Sequence, residues 1–153
     1  MTKFAVNTDV SAERTLSEIQ ATLKRYGASR MAYAEDDFEV SVMFEMQSRR
    51  VRFTLPLPDK NAEAFVAKGG NQNIKKGSFN QSVYDQAVRS KWRALLLAIK
   101  AKLESVESEI ETFDEAFMAQ LVLPNNETVG KWAAPQIELA YSSGKMPPLL
   151  SSG

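Results

Sequence analysis

The residues of this sequence that can do chemistry are carboxylates, lysines, arginines and tyrosines, because the chain contains no histidine and no cysteine. Without histidine it lacks the commonest general base and the commonest transition-metal ligand. Without cysteine it has no disulfide, no thiolate zinc site and no cysteine nucleophile. Catalysis through a serine–histidine or cysteine–histidine pair is therefore excluded for this chain alone. We predict a protein that is not an enzyme and that uses no cofactor.

Basic residues are concentrated in the middle of the sequence. Between Gln47 and Lys102 there are 12 lysines and arginines but three acidic residues, whereas Leu103 to Met118 contains six acidic residues and no basic one. The chain is neutral overall, so local clusters decide whether phosphate can be bound. The alternative is a solvated surface that pairs with the protein's own acidic residues. We predict contact with a DNA or RNA backbone through nine residues: Arg49, Arg50, Arg52, Lys68, Lys75, Lys76, Arg89, Lys91 and Arg93.

Acidic residues form two local clusters whose oxygens suit a hard cation. These clusters are Glu35, Asp36, Asp37 and Glu39, and Glu104, Glu107 and Glu111. Neither has the spacing of an EF-hand, and no histidine is available to complete a site, so we predict no metal centre. An acid-rich turn and a solvated helix face explain both clusters. An enzyme that uses carboxylates and Mg²⁺ is a third hypothesis.

The elements that must position these residues begin with a helix at about residues 12–26. Ser11 is a suitable N-cap, Gly27 supplies a stop, and apolar residues recur between them at helical spacing. Residues 30–34 are a short candidate strand, and the acidic run after it favours a turn.

Two longer strands follow, at residues 38–46 and 51–55, where apolar and polar residues alternate. They predict an antiparallel hairpin with one buried face, because alternate side chains point to opposite sides of a sheet. Its outer face would set Glu39 and Glu45 among Arg50 and Arg52. The side chains predicted to face inward from the first strand are Phe38, Val40, Val42, Phe44 and Met46.

The strongest periodic signal predicts a long helix from about residue 82 to residue 111. Its apolar positions step alternately by four and three residues, which is a heptad pattern. Such a seam usually faces its own domain, and the alternative is a homodimer formed through a pair of these helices. The seam residues are Trp92, Leu96, Ile99, Leu103, Val106 and Ile110.

After this helix, residues 112–115 match a capping box that starts a new helix, and residues 121–129 favour a small hairpin. Pro135 is expected in the first turn of a final helix through Tyr141, with Gly144 ending it. Trp132 and Tyr141 either form a peptide-docking patch with the tail or are covered by it.

The chain is expected to be a single domain of the α+β class, with a small antiparallel sheet packed against the long amphipathic helix and a shorter N-terminal helix. Residues 1–10 are expected to form an N-terminal arm, residues 59–81 a long flexible basic loop, and residues 146–153 an irregular tail. The first residues have no apolar core of a signal peptide, and no apolar run is long enough to span a membrane. We therefore expect a cytoplasmic protein that does not bind membranes.

A resemblance to known proteins is carried by residues 51–58 and 91–108 and continues through residues 112–117, 123–125 and 128–130. In these segments the chain resembles a family of small proteins encoded by tailed phages and prophages. The family has no assigned activity, so it supplies no functional residues. It implies a phage accessory protein that acts inside a bacterium.

Two functions of different classes follow from these observations. The first is a non-enzymatic accessory protein that holds a nucleic-acid backbone through the basic hairpin, loop and helix face. The alternative is a protein-binding module, such as an inhibitor of a host enzyme or of a defence complex, because a small, charge-divided protein without catalytic groups suits that role.

Overall fold

The computed structural model describes residues 8–62, 65–66 and 78–146. Within these ranges, a three-stranded sheet and four α-helices give the α+β fold that the sequence predicts. In chain order the elements are α1 (Ala12–Arg25), β1 (Ser29–Glu35), β2 (Glu39–Met46), β3 (Arg49–Pro56), α2 (Gln81–Glu107), α3 (Phe113–Ala116), a 3₁₀ turn (Met118–Gln120) and α4 (Val129–Ser143).

The sheet is an antiparallel meander in the order β1-β2-β3. A two-residue turn joins β2 to β3, and Gln47 and Ser48 both have positive φ, at 49° and 60°. A turn with two positive φ values matches the right-handed twist of paired strands, so it fixes the register. Glu45 therefore pairs with Arg50 as predicted, and Met43 pairs with Arg52. The prediction is wrong for Glu39, which pairs with Pro56 at the other end of the two strands.

The turn between β1 and β2 extends one residue further than predicted, because β2 begins at Glu39 and not at Phe38. Phe38 precedes β2 and is exposed, although it was expected to continue the inward-facing row. The carboxylate of Asp36 accepts hydrogen bonds from the N–H groups of Phe38 and Glu39, at 2.7 Å and 2.8 Å. This local bonding holds Phe38 in the turn and directs it away from the core.

Helices α1 and α2 cover one face of the sheet and form the core with it. Four of the six seam residues, Trp92, Leu96, Ile99 and Leu103, are buried against the inner faces of β2 and β3. Val106 packs partly against the same core. The seam therefore packs within the protein's own core, which is the favoured interpretation of the heptad pattern, and these buried residues do not support the alternative of a homodimer seam.

Helix α2 ends earlier than predicted, at Glu107. Glu109 has a left-handed backbone, with φ of 59°, and the N–H of Ile110 bonds to the carbonyl of Ser105 at 2.9 Å. The N–H of Glu109 bonds to the carbonyl of Val106 at 3.1 Å, which completes a Schellman motif. Ile110 lies beyond the helix and is exposed, so its assignment to the helical seam is wrong.

The C-terminal elements are capped by threonines. The capping box of Thr112 and Glu115 starts α3 as predicted. Helix α4 starts at Val129 with Thr128 as N-cap, so Pro135 lies inside the helix and not in its first turn, contrary to prediction. Gly144, with φ of 69°, ends α4 as predicted. Between α3 and α4, Val122 pairs with Thr128 in the expected small hairpin.

Part of the predicted loop of residues 59–81 is described. Phe65 is buried, Val66 pairs with Phe79, and the N–H of Asn80 bonds to the carbonyl of Phe65 at 2.7 Å. These contacts form the neck of the segment. The loop lysines Lys68, Lys75 and Lys76 lie outside the described residues, as do residues 1–7 of the arm and residues 147–153 of the tail.

Candidate functional site

The predicted basic face is divided by the fold. Of the six predicted phosphate-binding residues within the described part of the chain, Arg50 and Arg52 lie on the sheet face opposite the helices. Arg89, Lys91 and Arg93 belong to α2, which covers the other face. The strand and helix residues therefore do not form one continuous surface.

Two of the predicted arginines are engaged by the protein's own acids. Arg49 donates from Nε and Nη2 to the two carboxylate oxygens of Asp114, at 3.0 Å and 3.1 Å. This hydrogen bonding raises the pKa of Arg49. Arg93 donates to Glu18 of α1 at 2.6 Å and ties the two helices together. Both guanidinium groups hold elements of the fold in place.

The remaining helix residues differ from each other. The Nη2 atom of Arg89 donates to the amide oxygen of Gln86 at 2.6 Å, and its Nε atom is buried with no hydrogen-bond partner in the described part of the chain. Lys91 is exposed. Both residues belong to α2, which packs on the inner face of the sheet. The sheet therefore separates them from Arg50 and Arg52 on its open face.

Arg30 joins Arg50 and Arg52 on the open face, and these three residues are named the arginine cluster. Arg50 and Arg52 occupy alternate positions of β3, so both side chains point away from the core. The register of β1 and β2 shifts between Ser29 and Ala32, and Arg30 lies in this bulge with φ of 49°. A bulge redirects a side chain relative to its strand, which brings Arg30 to the same depression.

The cluster surrounds a depression of about 260 Å³. Among the described residues that line it, Glu45 is the one acidic residue, and its carboxylate lies 3.8 Å from Nε of Arg30. Three guanidinium groups and one carboxylate leave an excess of two positive charges. The apolar part of the depression comes from Met31, Ala32, Met43 and Val122, among others.

The small hairpin after α3 supplies one wall of the depression. The N–H of Val122 bonds to the carbonyl of Arg50 at 2.9 Å, which fixes the hairpin to β3. Asn126, at the hairpin turn, accepts from Arg52 through its backbone carbonyl at 2.8 Å. Its side-chain oxygen lies 3.5 Å from Nη2 of Arg50 and from Nη1 of Arg52. Asn126 therefore orients both guanidinium groups while leaving other donors free for a ligand.

This arrangement suits an anion that also has an apolar part. Guanidinium groups present paired N–H donors that match the oxygens of phosphate or carboxylate. The positive surface extends beyond the depression, because a second depression between α1 and β1 is lined by Lys24 and Arg30. Within residues 8–62, 65–66 and 78–146, no group of three or more acidic side chains is arranged to hold a metal ion.

Sequence reasoning found two members of the cluster and missed Arg30 and Asn126. The strand alternation that identifies Arg50 and Arg52 also separates them from Arg49, which pairs with Met46 on the core side. Arg30 could have been included by extending the hairpin to the preceding strand, since Ser29 pairs with Glu45. The bulge has no local sequence signal, because arginine is not typical of a left-handed position.

Comparison of the chain with protein-family models, with curated proteins and with solved structures finds no match. In the described part of the chain, no helix is both long enough and apolar enough to cross a membrane.

Proposed function

We propose that the protein is a non-enzymatic binding protein that holds the phosphate backbone of a nucleic-acid strand at the arginine cluster. The observation that supports this proposal is the convergence of Arg30, Arg50 and Arg52 around one depression on the open sheet face. Phosphate is the expected anion because forked guanidinium donors match its oxygens, and the two excess positive charges suit a repeating anionic backbone.

The shape of the depression favours contact with a strand and not with a free ion. Met31, Ala32 and Met43 give it an apolar floor beside the arginines. The floor would accept a sugar or base edge, while the arginines bind the adjoining phosphate. Contacts of this kind fix the position of a strand without reading its sequence.

The resemblance to small phage proteins supports a biological setting for this binding activity, namely a bacterium infected by a phage. On that basis we propose a phage-encoded accessory protein that works in the cytosol of a bacterial host. The loop lysines Lys68, Lys75 and Lys76 would add phosphate contacts if they approach the same strand.

Titration of a fluorescently labelled single-stranded oligonucleotide at several salt concentrations tests the proposal. Replacing one phosphate-contacting arginine should weaken binding and lower the slope of log affinity against log salt by about 0.7 for a single strand. The variants are Arg50→Ala and Arg52→Ala. The matched control is Lys91→Ala, which also removes one exposed positive charge but lies on α2.

The expected result is a reduced slope for both arginine variants and an unchanged slope for Lys91→Ala. Absence of binding at low salt would refute the proposal and leave a protein partner as the alternative. Equal weakening by Lys91→Ala would also contradict it, because the contacts would then be spread over the surface and not made by the cluster.

A further inference from the structure

Helix α4 is a 15-residue helix with no buried residue. Four of its large apolar side chains are exposed: Trp132 by 41%, Ile137 by 55%, Leu139 by 59% and Tyr141 by 86%. By contrast, α2 buries six residues and α1 buries four. The described part of the protein therefore leaves most of α4 uncovered.

The composition of α4 is that of a covered helix. Lys131 and Glu138 are its two charged residues, and apolar residues occupy most of the remaining circumference. A helix that is apolar nearly all round is normally buried. Its contact with the body is made near its start, where Gly130 lies so close to Ala119 that a Cβ atom at position 130 would be 3.0 Å from the Ala119 carbonyl oxygen.

The charges of α4 are arranged for pairing with a second copy of itself. Lys131 and Glu138 are seven residues apart, so they lie on the same side of the helix. In an antiparallel pair with a two-fold axis midway between Ala134 and Pro135, position 131 of one copy is level with position 138 of the other. Each lysine would then face a glutamate of the second copy, and the pair of helices would carry two ion pairs with no charge left over.

The apolar residues beside these charges follow the same symmetry. Trp132, Pro135 and Leu139 are spaced by three and four residues, which places them along one flank of α4. Pro135 lies next to the two-fold axis, so Trp132 of each copy would pack between Pro135 and Leu139 of the other. We propose that the protein forms a homodimer in which the α4 helices pair antiparallel along this flank.

Sedimentation velocity over a range of protein concentrations, without nucleic acid, measures this association separately from any function of the arginine cluster. The expected result is a reversible monomer–dimer equilibrium. Trp132→Glu should raise the dissociation constant by about thirtyfold or more, since a central aromatic anchor is lost. Circular dichroism of the variant verifies its fold, which should persist because Trp132 is not part of the core.

A charge exchange tests the register. Lys131→Glu and Glu138→Lys should each weaken the homodimer, by roughly tenfold, because each sets like charges against each other at two places. Mixing the two variants should restore association, since one copy then carries only acids and the other only bases at these positions. A structural effect of either substitution alone would not be reversed by mixing.

The absence of native cysteine allows a second test by oxidation. Pro135→Cys places a thiol beside the two-fold axis, where the paired residues are near enough for a disulfide. Ser142→Cys is the matched control, because its two copies would be about 22 Å apart along the helix axis at 1.5 Å per residue. Cross-linking at position 135 and not at 142 is expected.

Three results would overturn the proposal. They are a protein that stays monomeric at the highest concentration, a dimer unaffected by Trp132→Glu, and equal cross-linking at positions 135 and 142. The first would direct attention to a different protein as the occupant of α4, and the others would place the dimer contact or its register elsewhere.

Discussion

At the scale of single residues, neighbouring arginines of one strand have different tasks. Arg49 points to the helix side and is held by Asp114, whereas Arg50 points to the open face and borders the depression. The two-residue period of a strand makes this distinction, so the candidate site depends on register as much as on charge. The basic character of β3 was predictable from the sequence, but the partner of Arg49 was not, because Asp114 is 65 residues away.

Tyr33 gives a prediction at this scale. Tyr33 is 42% exposed. The partial shielding of its ring beside Trp92, with ring centroids 6.1 Å apart, and its hydrogen bond to the carboxylate of Glu35 raise the pKa of Tyr33 to about 12. The folded state therefore holds this proton more tightly than the unfolded state. The resulting stabilisation is complete below pH 10, the ordinary tyrosine value, and is lost as the pH rises through about 12.

Denaturant unfolding at alkaline pH, with a tyrosinate absorbance titration, measures this effect. Tyr33→Phe should remove the tyrosinate transition near pH 12 and flatten the dependence of stability on pH between 10 and 12. Glu35→Gln should shift the Tyr33 transition to lower pH, because it removes a negative charge that opposes ionisation. An unchanged titration in both variants would refute the interpretation.

At the scale of elements, caps decide where helices begin and end. The capping box of α3 was predicted because threonine and glutamate have the required spacing. The end of α2 was not, because its left-handed position is Glu109 and not glycine, and because Ile110 fits the heptad pattern. The start of α4 was also missed, since Pro135 gave a stronger signal than Thr128 although it lies in the helix interior. Side-chain patterns therefore located the helices better than their ends.

The capping box gives a prediction for acid stability. The backbone N–H of Thr112 donates to Glu115 at 3.0 Å, and this bond, with the contribution of the Thr112 hydroxyl, lowers the pKa of Glu115 from 4.5. The charged form is thus favoured in the folded state. Its stabilisation is present above about pH 4.5 and is lost as the pH falls through the lowered value.

Glu115→Gln should therefore reduce the loss of stability on acidification, as measured by denaturant unfolding at pH values from neutral to acidic. Thr112→Ala should destabilise the protein by about 1 kcal/mol at neutral pH, because an N-cap is lost. Glu107→Gln, which removes one exposed carboxylate outside the capping box, is the control for the loss of a single negative charge. A profile altered equally by both glutamate variants would contradict this account.

At the scale of the whole molecule, stability is concentrated in the layer between the sheet and α2. The sequence predicted this layer, because the alternating strands and the heptad pattern each mark a buried face. The sequence did not predict which charged residues would share a surface, because that depends on the side of the sheet on which each element lies. The sequence also did not predict that α4 is exposed, because its apolar composition is typical of a buried helix.

Hydrogen exchange should reveal this uneven distribution. Amides near Leu96 and Ile99 should exchange most slowly, since they lie at the centre of the core and open only with global unfolding. Amides near Ile137 and Tyr141 should exchange fastest among the helices at low protein concentration. Slow exchange throughout α4 in a dilute, monomeric sample would contradict the prediction.

The neck formed by Phe65, Val66, Phe79 and Asn80 has a consequence for engineering. It holds the two ends of the intervening segment side by side. Doubling the number of residues in a connection between two fixed ends costs only about 0.6 kcal/mol of closure entropy, so we expect the rest of the fold to tolerate a longer segment. A guest peptide, such as an epitope tag or a short reporter, should therefore be accepted between residues 67 and 77 without disturbing its host.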